Sequence, residues 1–421
     1  MSESGLEKGV LNADLLVVGG GIAGITAAVE AAEVGKEVVL VEREHYLGGR
    51  VAQLHRYFPK ICPPTCGLEI NFRRIKNNPR ITVLTGAEVT SADGGKGRHT
   101  AQVSIKPRYV TTACTACGDC EKACEVEVND TFNLGMKKAK AIRLPHEMAF
   151  PFLYFVDEQA AKDPRMKAVA EVCPAKAIDL DMKPQTVTVN AKSVIWATGW
   201  EPYDAAKLAG LNFGKLPNIV TNMMFERMAA ANGVTDGKIK RPSDGGSIGS
   251  AAFVQCAGSR DRNHLPYCSA VCCMASLKQS RYIREQYPDA EIHIFFIDAR
   301  TPGRWEDFYQ TVQDDPKTVI HRGKVAKIED ADGGKVTLTA ENTLTGKLEK
   351  VTVDLAILAT GMKPNAQIQK PAVSAVQDDF GFIWPGGVLA AGVAAGPKDV
   401  SASNQEATGA VGLALQEIAG E

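Results

Sequence analysis

The chain lacks an excess of charge of either sign. It carries 48 Lys and Arg against 49 Asp and Glu, a formal net charge of −1, so no broad cationic surface is left over for a polyanion, and nucleic-acid binding is not expected. It also lacks any uninterrupted run of 18 apolar residues, and its first residues, MSESGLEKGVLNADLL, are polar and acidic. Neither a membrane span nor a secretory leader is therefore expected. A third lack is a cysteine framework of the secreted kind. The 11 cysteines are odd in number and sit in tight groups, which reads as metal or redox chemistry in a reducing, cytoplasmic setting. What remains is a 421-residue chain, 45% hydrophobic and with 39 glycines, long enough for two or three domains of an α/β enzyme.

Residues Ala13 to Val18 form an apolar run. Gly19-Gly20-Gly21-Ile22-Ala23-Gly24, an Ala-rich stretch to Gly35 and a second apolar run ending at Glu42 follow it. This is a complete βαβ dinucleotide-binding unit. Gly19 permits the tight turn, Gly21 the approach of backbone N–H groups to a pyrophosphate, and Gly24 close helix packing. Glu42, with Arg43 beside it, is placed to accept the ribose hydroxyls.

Between this unit and a later strand end lies Cys114-x2-Cys117-x2-Cys120-x3-Cys124, with Cys173-Pro174 further on. The spacing is that of the bacterial ferredoxin run. It assigns one [4Fe-4S] cluster to Cys114, Cys117, Cys120 and Cys173 and leaves Cys124 as a spare or alternative ligand. A structural zinc is the alternative, although zinc favours two separated Cys pairs.

Another absence is chemical. Where a second glycine-rich phosphate loop would bind NAD(P)H, the apolar run Ala251 to Gln255 leads into Cys256, then Cys268-x3-Cys272-Cys273. The loop Gly245 to Gly249 precedes that strand, so it cannot cradle a pyrophosphate, and poor NAD(P)H binding is expected. Cys268 and Cys272 are one helical turn apart, with Cys273 rotated by roughly 100°. They converge with Cys256 if they straddle a helix start, where the dipole favours an anionic group. Otherwise they form a buried, inert set of thiols.

Several motifs carry a resemblance. Gly48-Gly49-Arg50 and the strand-end turns Ala197-Thr198-Gly199 and Ala359-Thr360-Gly361 resemble those of glutathione-reductase-like flavoproteins, implying FAD. Gln255-Cys256 through Asp261, Tyr267 through Met274, and Gly396-Pro397-Lys398-Asp399 resemble the HdrA-type flavoproteins of heterodisulfide reductase. That resemblance implies a two-dinucleotide-domain fold of the glutathione and thioredoxin reductase kind. FAD-binding parts would cover 12–110 and 186–247, a ferredoxin-like insertion 111–185, a degenerate NAD-type domain 248–365, and a closing FAD segment 366–421. It further implies a second cluster on Cys256, Cys268, Cys272 and Cys273, and a flavin-side role for Lys278, whose plainer alternative is a solvated surface lysine. Gly392 and Lys398 would fall in the closing segment, with Val393 where reductases of this fold carry Asp. An aligned Cys62-x3-Cys66 in the family favours a functional role for that pair, as a redox-active dithiol or as a further cluster edge, its two prolines stiffening the loop between them.

The implied function is electron transfer through FAD and one or two [4Fe-4S] clusters, in a hetero-oligomer peripheral to the cytoplasmic membrane. Within the family the chain is similar to the branch found in the quinone-interacting membrane-bound oxidoreductase of sulfate reducers. That branch implies adenylylsulfate reductase and a quinone-reactive membrane subunit as partners. Three alternatives stand beside it: a soluble subunit of sulfur oxidation, an NAD(P)H-dependent disulfide oxidoreductase using Cys62 and Cys66, and a zinc-bearing scaffold.

Overall fold

A computed structural model describes residues 9–58, 60–365, 377–383 and 388–420. Part of the expected closing FAD segment, 366–376 and 384–387, lies outside the described residues.

The first sheet is built from β1 (Val10–Val18), β2 (Val38–Glu42), β3 (Ile81–Thr85), β4 (Ala87–Gly95), β5 (Arg98–Ile105) and β6 (Gln185–Trp196), in the order β3-β2-β1-β6-β5-β4, with Leu389–Ala390 beside β6. Strands β3, β2, β1 and β6 run parallel, whereas β6-β5 and β5-β4 are antiparallel. All five residues of β2 are buried, as a parallel strand covered on both faces requires. Helix α1 (Ile22–Glu33) joins β1 to β2 and buries an alanine-rich face. Small side chains there let α1 lie close to the sheet and to the C-terminal helix Val400–Ala419. Helix α2 (Pro64–Asn77) packs Leu68, Phe72 and Ile75 into the same core.

The second sheet contains β7 (Ile219–Thr221), β8 (Ser250–Ala257), β9 (Glu291–Phe296), β10 (Thr318–Arg322) and β11 (Leu355–Thr360), in the order β7-β11-β8-β9-β10 and wholly parallel. The strand expected from Ala251 to Gln255 is longer at both ends. It carries Cys256 at φ +56°, where the register against β11 skips between Val254 and Ala257. This is a bulge, and it re-aims the cysteine out of the regular ladder. Helix α3 (Cys272–Gln286) leads from there to β9. Asp354 accepts bonds from the Gly249 and Ser250 N–H groups, so the loop before β8 is tied to a carboxylate.

Between β5 and β6 the chain makes short hairpins, Glu127–Asn129 with Lys138–Lys140 and Ile142–Arg143 with Phe155–Val156, around a small core of its own. No described helix is long and apolar enough to cross a membrane.

Candidate functional site

A cavity of about 540 Å³ opens at the C-terminal ends of β1 and β6 and runs to the second sheet. Gly19, Gly21, Glu42, Arg43, Gly49 and Arg50 line one end. Two glycines of the first loop face different constraints. An added Cβ on Gly24 would lie 1.8 Å from the Gly19 carbonyl oxygen, whereas one on Gly21 would meet nothing nearer than Gly49 Cα at 4.0 Å. Gly24 serves packing. Gly21 leaves open space at the cavity wall.

Glu42 is buried, and its two carboxylate oxygens accept from the N–H groups of Gly20 at 2.6 Å and Glu44 at 2.8 Å. Burial, opposed by those bonds, pushes its pKa up to about 7. The carboxylate expected to hold ribose hydroxyls therefore already spends part of its accepting capacity on the loop itself.

A raised carboxyl pKa has a testable sign. The folded state keeps the proton between pH 4.5, the ordinary value, and about 7, so FAD-free protein loses stability as pH rises through that window. The loss is at most about 3 kcal/mol. Urea midpoints of apo-protein at about pH 5 and about pH 8 should differ by this term, and Glu42→Gln should remove it. Equal slopes in both proteins would show that Glu42 does not titrate there.

Arg50 donates to Trp200 O and to Gln53 Oε1. Thr198, Gly199, Gly392, Val393 and Lys398 also line the cavity. Asp399 caps the C-terminal helix by accepting from Ala402 N at 2.8 Å, which turns that helix N-terminus toward the cavity. Such an end favours an anion. Thr198 Oγ1, Gln279 Oε1 and Asn365 Oδ1 are buried on the wall without a protein partner. Buried polar atoms need partners, and the hydroxyl and N–H donors of a flavin dinucleotide supply them. The residues present fit FAD.

At the other end, Lys278 lies on α3. It is not a surface lysine. Its ammonium is 2.9 Å from Glu226 Oε1, with side chains 4% and 1% exposed, and it donates to the Arg56 carbonyl. Glu226 also accepts from His55 N, Gln279 Nε2 and Tyr282 Oη. Lys278, Gln279 and Glu226 all line the cavity.

The insertion brings Cys114, Cys117, Cys120 and Cys173 around one small cavity closed by Tyr154 and Ile142. Ala116 N donates to Cys114 Sγ at 3.4 Å and Ala177 N to Cys173 Sγ at 3.3 Å. Burial, followed by the neighbouring Cys114, Cys173 and Cys117, pushes the Cys120 thiol up to about 11. Only a bound cation would make these thiolates comfortable together. Cys124 points elsewhere, against Val126 O and Met166.

Cys256, Cys268, Cys272 and Cys273 also meet. Cys272 and Cys273 open α3, Cys268 sits in the preceding loop, and Cys256 comes from the β8 bulge. The Cys272 thiol is raised by burial and then by Cys256, Cys273 and Cys268. Arg260 pairs with Asp298 and opposes the rise at Cys256. Among the described residues no three His, Cys, Asp or Glu side chains close on a single-ion site, as zinc with bonds of about 2.3 Å to sulfur would need.

Cys62 and Cys66 are free thiols, one half-buried and one exposed, and neither lines the large cavity. The two prolines do not stiffen a loop. Pro63 caps and Pro64 begins α2, so Cys66 lies in a helical first turn. Proline suits that place because its missing N–H would be unpaired there. Tyr57, whose hydroxyl bonds Cys62 and is thereby held up at about 12, lines the cavity between them and the flavin end.

Glu226, Gln279, Asn365, Gln53 and Thr131 belong to this site and carry no sequence motif. Gln53 follows Arg50 by three residues and Gln279 is next to Lys278, whereas Thr131 and Glu226 reach the cavity from elements distant from the dinucleotide loop.

Residues 14–59 match the family model for FAD dependent oxidoreductases. The chain is 35% identical to the HdrA component of the ferredoxin:CoB-CoM heterodisulfide reductase of Methanosarcina mazei, over 96% of this chain and 53% of that protein. It is 36% identical to the second iron-sulfur HdrA component of the CoB–CoM heterodisulfide reductase of Methanopyrus kandleri, over 96% of this chain and 64% of that protein. It thus spans between about half and two thirds of the curated relatives it matches. Among solved structures, thioredoxin reductase of T. acidophilum aligns with a TM-score of 0.52 at 15% identity, covering 97% of this chain and 99% of that one. Bacillithiol disulfide reductase of Bacillus cereus aligns with 0.50 at 11%, covering 97% and 100%. At such identity these two show the fold alone, and it is the two-dinucleotide-domain reductase fold that the sequence motifs imply.

Proposed function

We infer, from 35% and 36% identity to subunits A of heterodisulfide reductases over 96% of this chain, an FAD- and iron-sulfur-dependent electron-transfer subunit of a larger oxidoreductase complex. One observation carries this reading. A cavity built for a flavin dinucleotide and two four-cysteine sets share one chain, with Cys272 and Cys273 on the same helix as Lys278, which lines the flavin cavity.

Bound flavin exchanges electrons in pairs or singly, and clusters exchange them singly. The protein's own part is to hold and tune. Gly21, Arg50 and the C-terminal helix end receive the phosphates, Lys278 presents a cation to the flavin end, and backbone N–H groups bond the cluster thiolates. Cys114, Cys117, Cys120 and Cys173 would hold one [4Fe-4S] cluster, and Cys256, Cys268, Cys272 and Cys273 the other. Residues 12–110 and 186–247 with the closing segment would form the flavin half, 111–185 the insertion, and 248–365 the cluster-bearing half.

Both matched relatives carry heterodisulfide in their names, and the one from Methanosarcina mazei also carries ferredoxin. That observation favours a thiol/disulfide- or ferredoxin-linked complex over adenylylsulfate reductase and a quinone-reactive membrane subunit, the partners suggested by the sequence pattern. Loss of the second glycine-rich loop disfavours NAD(P)H turnover through Cys62 and Cys66.

Iron assay and visible spectra test the reading. Cys117→Ser should remove about half of the iron and leave the flavin. Cys272→Ser should remove the other half and shift the flavin potential, since Cys272 and the flavin-facing Lys278 share α3. A colourless wild-type protein, or iron that survives both substitutions, would overturn it.

A further inference from the structure

The cavities of the flavin half and the insertion are bridged by one ring contact, His45 with Phe155, whose chain neighbours Tyr46 and Tyr154 line the two cavities. Tyr46 lines the flavin cavity. Its chain neighbour His45 turns the other way and meets Phe155, with ring centroids 4.9 Å apart. The chain neighbour of Phe155 is Tyr154, which walls the cavity of Cys114, Cys117, Cys120 and Cys173 and donates to Glu121. Arg108 fixes the crossing from both sides. Its guanidinium donates to His45 O at 2.6 Å, Thr85 Oγ1 at 2.8 Å, Leu153 O at 3.2 Å and Tyr154 O at 3.4 Å. Arg143 covers the Phe155 ring at 4.6 Å. A second contact keeps the same two bodies in register. Phe132 of the insertion packs edge-on against Tyr46 and under the buried Arg227, which bonds Gln53 O and Asn133 Oδ1.

We propose that Tyr46–His45 and Phe155–Tyr154 form the electron route by which the insertion's four-cysteine site is the flavin's direct one-electron partner, with Arg108 the positioning residue of that route. The proposal rests on the cofactor reading above. In the forward direction one electron leaves the reduced flavin and one enters the oxidised cluster. No bond forms or breaks in the bridge, and no proton crosses it. His45, held down to about 3 by burial and then by Arg108, stays neutral at physiological pH. Tyr154 and Arg143 are buried, whereas His45 and Phe155 at the crossing are half-buried.

The test uses the holo-protein. FAD and iron contents and the two midpoint potentials are measured first, and then the rate at which the insertion cluster is reduced after flash photoreduction of the flavin. In Phe155→Ala, where a void replaces ring atoms on the line, contents and potentials should hold while the rate falls about tenfold. Phe155→Tyr should restore it. Arg108→Met should slow the step with the same unchanged potentials. An unchanged rate in both Phe155→Ala and Arg108→Met overturns the route. Wild-type protein with FAD but no iron on the insertion overturns the cofactor reading itself, and the iron assay separates that failure from the first.

Discussion

A Gly21→Leu variant is expected to fold and to come through purification without flavin. The space beyond Gly21 Cα contains no protein atom nearer than 4.0 Å from an added Cβ, so a Cβ there clashes with nothing in the apo-protein. A leucine would occupy the wall where a pyrophosphate must approach backbone N–H groups. Losing that approach should weaken FAD by about tenfold or more, at least about 1.4 kcal/mol. Gly24→Ala is the contrast, because its Cβ would strike the Gly19 carbonyl oxygen at 1.8 Å. There the turn or helix must shift, at about 1–3 kcal/mol of stability. Denaturation midpoints and flavin absorbance together separate the two effects. Full flavin occupancy in Gly21→Leu would remove the dinucleotide assignment.

Breaking the buried pair of Lys278 and Glu226 should give the largest loss of stability. With side chains 4% and 1% exposed, removing the carboxylate in Glu226→Leu strands an ammonium without its counter-charge, at about 3–5 kcal/mol. It also frees His55 N, Gln279 Nε2 and Tyr282 Oη from their acceptor. Replacing both partners, as Glu226→Leu with Lys278→Met, should recover most of the loss, because an apolar pair of similar volume needs no desolvated ions. In the single variant the uncompensated cation should also raise the flavin midpoint potential, by favouring the reduced anionic form. A cost below about 1 kcal/mol for Glu226→Leu, the range of exposed pairs, would mean that the pair is solvated.

Some of the site was legible because its signals are local. The β1 turn, α1 and β2 fall within one stretch, and each glycine there answers a constraint set by near neighbours in the chain. The run from Cys114 to Cys120 was legible for the same reason, as a short loop can aim several thiols at one point. Cys256 was legible as a residue but not as a conformation. Its φ of +56° follows from β8 skipping register against β11, a strand about 100 residues later in the chain. Lys278 read equally well as a surface lysine, since helical spacing does not say what covers a face. The proline pair read as a loop stiffener, yet it starts α2, because Pro64 suits a position whose N–H has no intrahelical acceptor.

The sequence by itself determined the dinucleotide loop and the run from Cys114 to Cys120, because each is fixed by spacing within a few turns of chain, whereas the two-dinucleotide-domain fold and the Cys256 set were read through the family resemblance. Only the tertiary structure decided what surrounds them. Glu226 reaches His55 across 171 residues and Arg227 reaches Asn133 across 94. These contacts bury a charge, wall a cavity and dock the insertion against the flavin half. No pattern within a segment encodes them, since burial of a polar side chain depends on which distant surface supplies its partners.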